Sequence, residues 1–178
     1  MNLKTTVVLA VILILLISYF FFSGRDNPGE HVAEPPDAWT LKEEFIERIE
    51  VRLPRQDKKI SFLRSAEGGW YFDDLQKRPV DVRRWGGILS LLTGPRSKRQ
   101  IASKIEDTAQ FGLTDPRMVI ILGVRNSGRR LEVLVGDRTP NEEHDYVQLR
   151  DHEAIYLVDR SWAAVFERLV TDPPLPPP

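Results

Sequence analysis

Cysteine is absent from this 178-residue chain, histidine occurs three times and methionine twice. Without a thiol there is no disulfide scaffold, no thiolate metal site and no cysteine nucleophile. A surplus of positive charge is missing too: 25 Lys and Arg face 26 Asp and Glu, for a formal charge of −1. A chain that neutralises a nucleic-acid backbone has a different balance, so nucleic acid is not an expected partner. No glycine-rich phosphate loop is present, because Gly68-Gly69 leads into a strand-like segment and not a helix. Long apolar runs are lacking everywhere but in one place, which excludes a multi-pass transporter.

That one run is Thr6–Phe22, TVVLAVILILLISYFFF, which carries no charge. As a helix it spans about 26 Å, close to a thin hydrocarbon core. Its thirteen Val, Leu, Ile and Phe residues favour insertion by roughly 5 kcal/mol. A cleaved signal peptide would end in small residues. Cutting after Ser23 or Gly24 places Phe21 or Phe22 three residues upstream, where a small side chain is wanted. The expected reading is an uncleaved signal anchor. Lys4 precedes it and Arg25 beside Asp26 follows it, so the N-terminus (residues 1–5) is expected in the cytoplasm and the rest outside. The expected location is a bacterial inner membrane, crossed once, with the bilayer itself as the first partner.

Ser23–Asp37 holds three Pro, two Gly and no apolar periodicity, so residues 23–44 are assigned to a spacer and its run-in. Residues 45–170 carry the pattern of a folded domain. Thr40 and Glu43 have capping-box spacing, while Ile49, Val51 and Leu53 alternate with Glu50 and Arg52 as a strand does. Ile60–Arg64 and Gly69–Phe72 read as a hairpin. Asp81 is placed to cap a helix whose stripe is Val82, Trp85, Ile88, Leu89 and Leu92, ended by Thr93-Gly94-Pro95. The Gly86-Gly87 pair inside it suggests close packing against a sheet. Arg99–Ser103 reads as a short strand and Asp107–Phe111 as a helical turn closed by Gly112. Met118–Val124 with Leu131–Val135 flank the turn Asn126-Ser127-Gly128, and Tyr146–Arg150 with Ala154–Val158 form a second pair. Ser161 caps a last helix whose Trp162, Val165, Phe166 and Leu169 face inward. Residues 171–178 are expected to be a disordered Pro-rich tail. Six or seven strands in hairpins and two main helices give an α+β fold with a mostly antiparallel sheet.

This succession of hairpin, helix, hairpin, hairpin and helix behind an anchor resembles a bacterial membrane-anchored family, the domain of unknown function numbered forty-three-forty. The resemblance rests on Gly69-Trp70 leading to Pro79-Val80-Asp81, on Phe111-Gly112-Leu113 with Asp115-Pro116, and on Gly136 through Pro140 to Tyr146-Val147. It covers about Phe45–Val170. Many members repeat the unit, whereas this chain has one copy. Some members are associated with ABC-transporter components of gliding motility, so the resemblance implies an accessory role in the envelope and a transporter or other envelope protein as partner. It implies no catalytic residues and no cofactor.

Candidate chemistry is sparse. His144 in Glu142-Glu143-His144-Asp145 and His152 in Asp151-His152-Glu153 sit on either side of one strand, which at about 3.3 Å per residue holds them too far apart for one metal. The expectation is solvated loop tips. Asp73 and Asp74 are adjacent carboxylates, but neighbours on an extended chain point opposite ways and do not face one gap as a glycosidase pair must. Ser127 lacks the strand-turn-helix setting of a nucleophile elbow. Charge is uneven along the chain. Lys77–Arg99 has seven basic residues (Lys77, Arg78, Arg83, Arg84, Arg96, Lys98 and Arg99) against Asp81, while Asp137–Asp159 has seven acidic residues against two Arg. The basic set is a candidate docking face for a partner protein, lipid headgroup or glycan; the competing reading is a solvated helix face. Residues thus point to a binding protein, an accessory or scaffold subunit. The alternatives are a membrane-tethered hydrolase and a ligand-binding domain.

Overall fold

Alternating and all-apolar segments between short turns have one stable outcome here, a single antiparallel sheet with helices on one face. The computed structural model describes residues 38–102, 107–125 and 128–177. The apolar run Thr6–Phe22, the spacer Ser23–Asp37 and His31 lie outside the described residues. So do the turn residues Asn126 and Ser127, and Ser103 at the end of the expected fourth strand. Among the described residues, no helix is long and apolar enough to cross a membrane.

Among the described residues there are eight strands: β1 (Ile46–Leu53), β2 (Lys58–Arg64), β3 (Trp70–Phe72), β4 (Arg99–Ala102), β5 (Met118–Val124), β6 (Arg130–Arg138), β7 (His144–Leu149) and β8 (Ile155–Asp159). Their order across the sheet is β3-β2-β1-β5-β6-β7-β8-β4. Every pairing is antiparallel. The α+β expectation therefore stands. Helices α1 (Val82–Trp85), α2 (Ile88–Leu92) and α3 (Arg160–Thr171) supply the second layer. The chain from β3 to β4 carries α1 and α2 and passes from one sheet edge to the other.

In β1, Ile49, Val51 and Leu53 turn to the helix layer, and Arg48, Glu50 and Arg52 turn away. Central β5 reads MVIILGV and is buried over its first five residues, because both of its faces are covered. On the helix face, Phe166 of α3 and Leu92 of α2 are fully buried with Ile49, Phe62, Met118, Ile120 and Val133. Full burial of a side chain such as Phe166 contributes about 1.5–3 kcal/mol. A smaller cluster (Leu113, Val119, Ile121, Leu134 and Ile155) occupies the other face, with Phe111 against Tyr146 at 4.8 Å.

Several expectations are corrected. The helix over Val82–Leu92 is broken in two: Gly86 is extended at ψ 133° and Gly87 is left-handed at φ +83°. A glycine takes that conformation at little cost. The break rotates Val82 out of the stripe, leaving it 80 % exposed. The glycine pair does not pack on the sheet, since both residues are exposed and a Cβ on Gly87 would meet nothing within 4 Å. Asp81 does cap α1, accepting from the Arg83 N–H at 3.0 Å. The cap of α3 is Asp159, not Ser161: the Asp159 carboxylate accepts from the Ser161 N–H at 2.8 Å. No capping box forms at Thr40; Glu43 begins a 3-10 turn and its carboxylate accepts from the Ser90 hydroxyl at 2.9 Å.

The compact unit also starts earlier than Phe45. Ala38 and Trp39 are buried; Trp39 packs edge-on against Trp162 at 5.9 Å and donates to the Leu92 carbonyl at 3.0 Å. At the other end residues Asp172–Leu175 of the expected tail are seated, with Pro174 buried.

Candidate functional site

The seven basic residues do not make one face. Lys77 and Arg78 follow β3, Arg83 and Arg84 lie on α1, and Arg96, Lys98 and Arg99 lead into β4. β3 and β4 are opposite edges with six strands between them. Proximity in sequence failed here because the connection between them crosses the sheet. Some of the charges are also committed. Arg78 pairs with Asp74 at 3.0 Å and sits 5.4 Å from the centre of the Phe72 ring, and Arg84 is held by the C-terminal segment.

Asp73 and Asp74 border a 440 Å³ notch at the β2–β3 edge, with Glu50 of β1 on its wall. Each carboxylate has an arginine beside it. Arg48 lies 2.7 Å from Asp73 and 3.6 Å from Glu50, and Ser61 donates to Asp73 at 3.2 Å. The Arg78 hydrogen bond holds the Asp74 carboxyl below the usual range, the opposite of what a general acid at neutral pH needs. The notch is an ion-paired surface.

His144 is not on a loop tip. It opens β7 and is 8 % exposed, with its N–H donating to the Thr139 hydroxyl at 3.2 Å. His152 is exposed at the far end of the same strand, where its carbonyl accepts from the Gln148 amide at 2.8 Å. Among the described residues, no group of three His, Asp or Glu could hold a metal ion.

Next to His144, Asp145 is fully buried. Arg117 Nη2 lies 2.7 Å from its Oδ2, but off the line of an N–H, so the contact is a charge pair without an aligned hydrogen bond to either oxygen. Arg117 also donates to the Gly136 carbonyl at 3.0 Å and to Glu167 of α3 at 3.3 Å. Burial pushes the Asp145 carboxyl above its usual value, against the pull of Arg117. Sequence reading missed this corner, because Glu142–Asp145 has the composition of a solvated loop.

The feature best suited to binding was missed as well. A groove of about 640 Å³ runs between the α1–α2 link and α3. Its floor is apolar (Ile88, Leu91, Val165 and Leu169), and Arg84 and Arg168 stand at its margins. The broken helix makes this possible: the two glycines leave the wall without side chains where α1 gives way to α2. Across one end lies a strap, residues Asp172–Leu175. Arg84 donates to the carbonyls of Asp172 at 2.9 Å and Pro173 at 3.0 Å and pairs with the Asp172 carboxylate at 2.7 Å. The Asp81 N–H donates to the Pro174 carbonyl at 2.9 Å.

Residues 70–172, from β3 to Asp172 just after α3, match the family described as Domain of unknown function (DUF4340). This chain belongs to the DUF4340 family. The matched span includes the groove wall from Arg84 to Asp172 and both partners of the Arg117–Asp145 pair, while β1 and β2 precede it and Pro174 follows it. No curated protein and no solved structure matches the chain.

Proposed function

We propose that this protein is a single-pass membrane protein whose DUF4340 domain acts by binding, as an accessory or scaffold subunit of an envelope complex. The reading takes Thr6–Phe22 as the anchor in a bacterial inner membrane, with the N-terminus inside and the domain outside. An ABC-type transporter is the partner that the family resemblance suggests. One observation carries the binding part: an open apolar groove with cationic margins, in a domain whose clustered carboxylates are matched by arginines. A short tether raises the effective concentration of such a groove beside other membrane proteins.

The test is a mild-detergent pull-down of tagged full-length protein from native membranes, followed by mass spectrometry. Stoichiometric recovery of transporter or other envelope subunits supports the reading. Recovery of the protein alone, with no companion at any stoichiometry, overturns it.

A membrane-tethered hydrolase is the second reading, favoured by the three carboxylates around the notch. It requires that Asp73→Asn or Asp74→Asn abolish a cellular phenotype while the fold persists. Unchanged phenotypes in both variants remove it.

A further inference from the structure

The strap is held in a way that carries chemical information. α3 ends at Thr171, and the Asp172 N–H closes its last turn on the Arg168 carbonyl at 2.8 Å. The next residues cross α1. Three of the four contacts from Asp81 and Arg84 go to successive backbone carbonyls, those of Asp172, Pro173 and Pro174; the fourth goes to the Asp172 carboxylate. Pro174 is buried, and a three-residue turn around it brings the Leu175 N–H to the Pro173 carbonyl at 2.8 Å. Leu175 then lies 41 % exposed. Proline has no N–H to satisfy and a fixed φ, so this conformation is largely prepared in the free chain.

Recognition of this kind is portable. A carbonyl is offered by any residue, so what the cradle selects is a carboxylate, then two prolines that present their carbonyls outward, then an apolar side chain. The strap is also a dividing wall: Asp172 and Pro174 border the 640 Å³ groove, and Pro173 and Leu175 border the 440 Å³ notch. Lifting it removes what separates the apolar groove from the charged notch.

We infer that the Asp81–Arg84 cradle is a peptide-binding site, filled in cis by Asp172–Leu175, whose partner in trans is a protein segment of the same chemistry: an acidic residue followed by Pro-Pro and an apolar residue. This rests on the binding reading above and names its site. A tethered tail competes at an effective concentration on the order of millimolar, so a free segment enters only when it binds more tightly or when the strap is weakened.

The experiment uses full-length protein in detergent and a labelled synthetic peptide of residues 171–178. Two variants open the site from the tail side, truncation after Thr171 and Asp172→Lys in the intact chain; both keep Asp81 and Arg84. The peptide is expected to bind each at least tenfold more tightly than wild type by fluorescence anisotropy, and to lose that gain when Arg84→Ala is added. Binding no tighter than wild type to folded Asp172→Lys protein overturns the inference, and so does binding indifferent to Arg84→Ala. If truncation prevents folding, Asp172→Lys alone decides. A concentration-dependent dimer of wild type, abolished by Arg84→Ala, overturns the partner assignment in favour of tail exchange between copies. Peptide binding together with an empty pull-down leaves the site in place and removes the envelope-subunit reading.

Discussion

Arg84 and Arg117 perform similar tasks in opposite surroundings. Arg84 reaches from α1 to the residues that follow α3 and is 39 % exposed, as is much of Asp172. Arg117 reaches from just before β5 to Asp145 of β7, the Gly136 carbonyl of β6 and Glu167 of α3; its side chain is 17 % exposed and Asp145 is 0 %. Water competes for every partner of Arg84, so its contacts open at little cost. Arg117 cannot leave without stranding a buried carboxylate. The corner is built on a buried charge and the strap on solvent-exposed contacts, so the strap end is the better place to look for a partner.

The largest effect separating the two is Arg117→Ala, expected to cost about 3–5 kcal/mol because the buried Asp145 charge loses its cation at 2.7 Å and keeps only the more distant Arg138 at 4.0 Å as a paired cation. Urea denaturation followed by far-ultraviolet circular dichroism measures it. A loss below about 1 kcal/mol, the range of an exposed pair, would erase the distinction between the two arginines.

Asp145→Asn is expected to act in the other direction, and its dependence on pH sharpens the comparison. The Asp145 carboxyl is raised above 3.8 in the fold by burial. Below that value it is protonated in both states. As pH rises the unfolded carboxyl ionises first, so the unfolded state binds fewer protons and wild-type stability falls until the folded group has also ionised. D145N lacks that slope, so its stability relative to wild type should rise from acid pH toward neutrality. If D145N instead loses ground as pH rises, the attraction of Arg117 outweighs burial and the sign of the shift is wrong.

What the sequence made legible follows from how far each signal reaches. Strand alternation in Ile49–Leu53 and the apolar run Met118–Leu122 are local, and both became strands where expected. The Asp81 cap is local as well. Asp159 and Ser161 are both capping residues two positions apart, and the stripe Trp162, Phe166, Leu169 fits either start, so only geometry separates them. The charge of buried Asp145 is met by Arg117, which lies just before β5 and is distant in sequence, so an acidic run looked like a loop. The basic set looked like one face because its members are close in sequence, and the crossover divides it between two edges. The groove was hidden because the helical stripe continues through Gly86-Gly87 while the backbone does not.

That broken helix gives a third, smaller test on the mobile side of the comparison. Gly87→Ala places a side chain at φ +83° and should cost about 1–2 kcal/mol, although the added methyl meets nothing. Gly86→Ala should be close to neutral, since its nearest neighbour would be 3.7 Å away and its φ of −55° is ordinary. Equal costs for the two, measured by the same denaturation, would show that the bare groove wall and not the left-handed turn is what the fold requires.

Arg84→Ala should also have only a small effect on global stability, below about 1 kcal/mol, because its partners are solvated carbonyls and a carboxylate that is 67 % exposed. Its local effect should nevertheless be complete. With the guanidinium gone, one hydrogen bond, from the Asp81 N–H, and the packing of Pro174 are left to hold the strap, which is too little to order four residues. Hydrogen exchange should therefore accelerate at the Leu175 and Asp81 amides by at least tenfold while the Ile120 and Val133 amides of β5 and β6 keep their protection. Acceleration spread over the strands would mean that the strap is part of the cooperative fold, and Arg84 would then belong with Arg117 and not opposite it. Acceleration confined to the strap would leave a stable sheet beside a binding surface that its own tail covers and can uncover.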